Sequence, residues 1–165
     1  MSEIAASGLE DGEDTQKDKF LTFSLGTEVY GIEIKFVTEI IGMQSVTEIP
    51  DLPDYVKGII NLRGKIIPVI DVRLRFKKVY REYNDRTCIV VVDIKGVTLG
   101  LIVDAVEEVL TIAEQEIVLP PQLENGSYHQ RFIKGIGKVG KEVKLILDSD
   151  RLLTDNEMNS LERVC

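Results

Sequence analysis

The 165-residue sequence predicts a mostly β fold of two similar small β-barrels related by a pseudo-twofold repeat, with few short helices and a C-terminal helix. Three observations predict it. Short apolar runs rich in Val and Ile recur at 20–25, 29–34, 37–41, 66–70, 89–94, 97–103 and 143–147, with Gly, Pro, Asn and Asp between them. That texture belongs to barrels and sandwiches rather than to helical bundles. The chain also repeats itself: Tyr30-Gly31-Ile32 through Val37-Thr38-Glu39-Ile40 lies over Leu99-Gly100-Leu101 through Val106-Glu107-Glu108-Val109 at a constant shift of 69. Lys57-Gly58-Ile59 then recurs as Lys134-Gly135-Ile136, and residues 66–71 recur as 143–148, both at a shift of 77, which locates an eight-residue insertion between Pro121 and Phe132.

The elements follow in chain order. Residues 1–18 are small, acidic and interrupted by Gly8 and Gly12, too poor in apolar surface to offset chain entropy, and are expected to be a disordered tail. Residues 19–86 form the first barrel with its linker, in which Asn84-Asp85 supplies a turn, and residues 87–153 form the second. Asp71 and Asp148 each close an apolar strand and are expected to cap a short helical turn, at 72–76 and 149–153. Thr154-Asp155-Asn156-Glu157 is a capping-box pattern, and Met158, Leu161 and Val164 recur at intervals of three, so residues 154–165 should be an amphipathic helix packed on the body.

Composition narrows the function. Twenty basic residues stand against 28 acidic ones, a net charge of −8, which opposes nucleic acid or an anionic membrane surface as partner. No apolar run approaches the roughly 18 residues needed to cross a bilayer, so direct membrane insertion is not expected and a cytoplasmic location is. Two cysteines, Cys88 and Cys165, and a single histidine, His129, support neither a disulfide framework nor a zinc site, and no cofactor is expected. Residues 135–140 spell G-x-G-x-x-G, but a β-branched run follows where a dinucleotide site needs a helix, so the glycines are expected to serve turns. One histidine allows no nucleophile–base pair, which leaves a carboxylate-dependent or nucleotide-binding enzyme as the alternative from a different class.

The segment Lys57-Gly58-Ile59-Ile60-Asn61-Leu62-Arg63-Gly64-Lys65-Ile66-Ile67-Pro68-Val69-Ile70-Asp71-Val72-Arg73 resembles the most recognisable stretch of the CheW family of chemotaxis coupling proteins, which surrounds an Asn-Leu-Arg-Gly motif. Phe23-Ser24-Leu25-Gly26, Tyr30-Gly31-Ile32-Glu33-Ile34, Tyr83-Asn84-Asp85 and Leu99-Gly100-Leu101-Ile102-Val103-Asp104 are similar to that family too, in unbroken order over about 20–160. The resemblance implies a pair of five-stranded barrels and a non-enzymatic adaptor. It would join the cytoplasmic tips of methyl-accepting chemoreceptors to the regulatory domain of the histidine kinase CheA, within membrane-bound receptor arrays. It also implies partner contacts at Val37, Glu39, Ile40, Gly58, Asn61, Arg63, Gly100, Val106 and Val109. Arg63, in a turn before Gly64, can hold carboxylates of a receptor tip or tie down carbonyls of its own loop. Val37 and Ile40 repeat as Val106 and Val109 and would line a groove for a helical hairpin if their strands face one another; core packing is the other use for them. Gly58 and Gly100 suit backbone requirements equally well. A second adaptor-like alternative is a coupling-like regulatory domain of a larger signalling protein, against which the starting methionine, acidic tail and terminal helix suggest an independent chain.

Overall fold

The computed structural model describes residues 16–120 and 131–164. Residues 1–15 of the expected acidic tail and 121–130 of the expected insertion loop lie outside them; the tail was expected to run to residue 18, but Asp18 is tied to the body, its carbonyl accepting the Ile112 N–H at 2.8 Å. Eleven strands are present among the described residues: β1 (Lys19–Leu25), β2 (Glu28–Glu33), β3 (Val37–Gly42), β4 (Val56–Leu62), β5 (Lys65–Asp71), β6 (Cys88–Ile94), β7 (Val97–Val103), β8 (Ala105–Thr111), β9 (Ile117–Val118), β10 (Ile133–Val139) and β11 (Glu142–Leu147). Two helices, α1 (Val72–Arg75) and α2 (Asp155–Val164), and short 3₁₀ turns lie among them.

The strands form one six-stranded sheet, ordered β8-β1-β2-β11-β10-β9, and one five-stranded sheet, ordered β3-β6-β7-β5-β4. The fold is mostly β with few helices, as expected, but the ladders are open where closed five-stranded barrels were expected. The chain spends its closing segments elsewhere. Between β3 and β4 only Thr47 reaches back, in a single bridge to Ile59, and at the matching place in the other sheet β9 is two residues long. Neither is long enough to continue a ladder round to the far edge.

Each sheet takes strands from both copies of the repeat. The β1–β2 hairpin of the first copy pairs with β8 and β11 of the second, while the β6–β7 hairpin of the second pairs with β3 and β5 of the first. The boundary at 86/87 thus separates the copies of the repeat and not the sheets. Two parallel crossings stitch the halves at equivalent places: Val69 lies beside Gly100, and Ile146 lies beside Gly31.

The main core lies between the sheets, where Phe23, Tyr30 and Ile32 meet Val90, Val92, Leu99 and Leu101. Alternate residues of β6 point the other way, so that Ile89 and Val91 join Ile60, Ile67, Val69 and Ile102 in a second cluster. A strand buried on both faces reads as a continuous apolar run, which is how 89–92 reads. Asp71 caps α1 as expected, accepting from the Leu74 N–H at 3.3 Å. Asp148 does not cap its turn; its carboxylate faces Arg151 Nε at 3.4 Å instead. The capping box of α2 is complete, with the Thr154 N–H donating to Glu157 Oε1 at 2.7 Å and the Glu157 N–H donating to Thr154 Oγ1 at 3.1 Å. Met158 and Leu161 are buried in the main core, as the spacing predicts. The G-x-G-x-x-G string is a strand and a hairpin turn, β10 followed by Gly140 at φ +62°, with no helix after it.

Candidate partner-binding surface

The surface begins at a turn. Leu62 pairs with Lys65, leaving Arg63 and Gly64 as a two-residue hairpin loop with φ of +51° and +87°. Positive φ at both central residues is the type I′ geometry that matches strand twist, and glycine takes it freely. Arg63 does not: a left-handed conformation costs a side-chain-bearing residue about 1–2 kcal/mol. Asn61 offsets part of this by accepting the Gly64 N–H on Oδ1 at 2.7 Å. Lys95 and Gly96, between β6 and β7, form the same kind of turn, with φ of +54° and +79°.

Arg63 reaches across to β3, where its Nη2 donates to Glu39 Oε2. Two of the expected site residues are therefore joined, 24 positions apart in sequence. The arginine side chain stays 70% exposed and Glu39 30%, so the guanidinium keeps donors free of its own loop and open to a second carboxylate. The bond links β3 and the β4–β5 turn, the two edges of the open five-stranded sheet.

The repeated apolar residues divide into two kinds. Val37 and Val106 are half-buried against the main core, whereas Ile40 is 44% and Val109 51% exposed. Their strands, β3 and β8, are the edge strands of the five-stranded and six-stranded sheets. Each edge carries a bulge mended by a threonine. Thr38 Oγ1 donates to the Val91 carbonyl at 3.1 Å on one side, and Thr22 Oγ1 donates to the Glu108 carbonyl at 2.7 Å on the other. Bulges at an edge turn side chains out of the regular alternation and blunt strand addition.

Gly58 and Gly100 are buried, and each is required by a close approach. A Cβ at Gly58 would sit 2.0 Å from the Thr47 carbonyl oxygen, with φ at +145°; one at Gly100 would meet Val69 Cγ1 at 2.7 Å and Ile89 Cγ2 at 2.8 Å. Both therefore lie within the packed sheet and not on its exposed face. Among the described residues no three His, Cys, Asp or Glu side chains gather as a metal site, and no helix is long and apolar enough to cross a membrane.

Two buried ionic networks escaped the sequence reading. Arg75, with a side chain only 4% exposed, donates Nε to the Leu152 carbonyl at 2.7 Å and Nη2 to Glu157 Oε1 at 2.9 Å, beneath the rings of Tyr55 and Phe132. Tyr55 donates its hydroxyl to the other oxygen of Glu157. Burial pushes the Glu157 carboxyl up, but the Thr154 N–H, Tyr55 and Arg75 outweigh it and hold it below the ordinary range. The signal was an arginine, Arg75, set between Leu74 and Phe76 on a turn that must pack inward.

The second network centres on Asp104. Arg73 donates Nε to Oδ1 at 2.7 Å and Nη2 to Oδ2 at 2.6 Å, and Oδ2 also accepts the Gly26 N–H at 2.7 Å and Arg81 Nη1 at 3.3 Å. Burial opposes ionisation here as well, and the Arg73 and Gly26 bonds overcome it, so the carboxyl is held low.

A family model described as CheW-like domain matches residues 19–157. The chemotaxis protein CheW of Klebsiella aerogenes is 34% identical over 151 residues, covering 92% of this chain and 90% of the relative. That of Treponema pallidum is 34% identical over 147 residues, covering 87% and 86%. Among solved structures, the scaffolding protein TtCheW from Thermoanaerobacter tengcongensis superposes with a TM-score of 0.77 at 41% identity, over 85% of this chain and 94% of that one.

Proposed function

The chain belongs to the CheW-like domain family and is a chemotaxis coupling adaptor, and from that premise we propose that it joins chemoreceptor tips to the regulatory domain of the histidine kinase CheA without chemistry of its own. The observation that carries this reading is the exposed Arg63 turn, held in a left-handed conformation and paired with Glu39 beside the apolar edge residue Ile40. A charged fork next to an exposed apolar side chain suits a helical hairpin whose polar face carries carboxylates. Val37, Glu39, Ile40, Asn61 and Arg63 form the part on the five-stranded sheet, and Val106 and Val109 the part on the six-stranded sheet. Gly58 and Gly100 support the part on the five-stranded sheet from within. The protein works in the cytoplasm, attached to receptor arrays through these contacts.

Titration of the purified chain with a receptor-tip fragment and, separately, with the kinase regulatory domain tests this. Perturbed amides gathered at Arg63, Ile40 and Val109 support it; absence of binding to both at tens of micromolar overturns it.

A further inference from the structure

The chain passes between the sheets at two places, residues 34–36 between β2 and β3, and Asp104 between β7 and β8. The repeat makes these the same corner twice, since Lys35 and Asp104 are 69 positions apart. Different physics holds them. At the first, Ile34 and Phe36 lie half-buried on the main core, and the turn packs against β1 of one sheet and β6 of the other. At the second, Val103 and Ala105 are buried on either side and the Asp104 N–H donates to the Ser24 carbonyl at 3.2 Å, and a carboxylate adds to this: Arg73 follows β5 of the five-stranded sheet, Gly26 is in the β1–β2 turn of the six-stranded sheet, and both bind Asp104, with Arg81 Nη1 at 3.3 Å.

β3 begins directly after the first corner and β8 directly after the second, so the corners fix where Val37 and Ile40 stand relative to Val106 and Val109. We propose that Asp104 is a positioning residue for the partner-binding surface: its bonds to Arg73 and the Gly26 N–H set β8 against β3, and with them the spacing of the apolar residues a partner must meet. The inference rests on the reading of those strands as partner contacts. Three features support it. The Arg73 fork is bidentate, which fixes direction as well as distance. Both side chains are nearly buried, 14% and 15% exposed, so salt screens the pair little. At Gly26, with φ +63°, an added Cβ would come within 3.3 Å of Arg73 Nη2, so the turn is shaped to admit the guanidinium.

Asp104→Asn keeps the size and loses the charge, and its amide nitrogen faces an Arg73 donor whichever way the amide turns, and Gly26 as well in one of the two orientations. Spin labels at Thr38 and Glu107, exposed repeat equivalents on β3 and β8, report the separation of the strands in a Cys88→Ser, Cys165→Ser background. The expected result is a narrow distance distribution for the parent protein, a broadened or displaced one for Asp104→Asn, and recovery toward the parent in Asp104→Glu. Glu157→Gln, which loosens the Arg75 network on the same helix α1 but leaves the Asp104 bonds in place, should leave the distribution narrow. Binding of the receptor-tip fragment should weaken about threefold to thirtyfold in Asp104→Asn, the range for residues that act on a site without touching it. An unchanged distribution in Asp104→Asn, or equal broadening in Glu157→Gln, overturns the inference. So does broadening with unaltered affinity. If the parent binds neither partner, the reading of the surface fails while the distance distributions still judge the corner.

Discussion

Arg63 and Glu39 are bonded although they stand at opposite edges of the five-stranded ladder, so a side-chain pair brings together edges that no backbone ladder joins. The repeat counterparts are Gly140 and Glu108, and the pair has no equivalent in the six-stranded sheet. The bond is thus one of the points at which the pseudosymmetry of the fold is broken.

Arg63→Glu places two carboxylates where the pair was. Because Arg63 is exposed, the melting temperature should move little, with a change of about 0.5 kcal/mol or less. Receptor coupling should fall sharply. The double variant Arg63→Glu, Glu39→Arg decides the reason: restored coupling means that the pair matters for holding the edges, and continued loss means that the guanidinium itself meets the partner. Binding titrations on the two variants, beside their melts, make the distinction.

The Arg75 network should behave in the opposite way, costing stability and not coupling. Arg75 is buried and its partner Glu157 sits on α2, so Arg75→Met removes the bond that ties the C-terminal helix to α1. Breaking a buried pair by removing one partner costs about 3–5 kcal/mol, and the lower end applies here because Glu157 retains contact with water. Chemical denaturation should show the midpoint falling without a change in slope. A cost under about 1 kcal/mol would mean that Met158, Leu161, the Tyr55 bond to Glu157 and the Lys95–Asp155 pair hold the helix without it.

The internal repeat made the pseudosymmetry of the two copies legible in the sequence, down to the matched glycines Gly31 and Gly100. The exchange of hairpins between halves was not legible. A run such as 89–92 shows that a strand is buried on both faces, but says nothing of which strand lies beside it. The Asn61–Gly64 turn could be read from local chemistry, whereas the Arg63–Glu39 bond depends on how far a sheet curls, which is a property of all five strands. Asp71 and Asp148 read alike, yet only the first caps, and the second faces Arg151 instead.

Acid should loosen the protein through Asp104 and Glu157. Both carboxyls are held below their ordinary values of 3.8 and 4.5 in the folded state, so the unfolded chain binds protons more readily. Their contribution is complete above those ordinary values and is lost as pH falls through the depressed ones. Melting temperature plotted from pH 7 downward should therefore hold until about pH 5 and then drop. Asp104→Asn should lower the plateau and flatten the acid limb; an acid limb of unchanged steepness would show that other carboxylates carry it.

The two matched glycines should differ in cost when a methyl group is added. At Gly100 the new Cβ meets Val69 and Ile89 at 2.7 and 2.8 Å, while at Gly31 it meets Ile146 and Phe20 at 3.3 and 3.4 Å. These are the same contacts in the repeat, since Val69 corresponds to Ile146 and Ile89 to Phe20. The first pair of distances forces the parallel crossing apart, and the second asks only that an isoleucine end shift. Overpacking of this kind costs about 1–3 kcal/mol, so Gly100→Ala should lie at the upper end and Gly31→Ala at or below the lower. Because the Gly100 crossing lies in the sheet that carries Arg63, receptor binding should weaken in Gly100→Ala beyond what its stability loss explains, and Gly31→Ala should bind as the parent does. Equal losses of stability in the two variants would show that the halves relax around a methyl group alike, and that the tighter crossing is not the stiffer one.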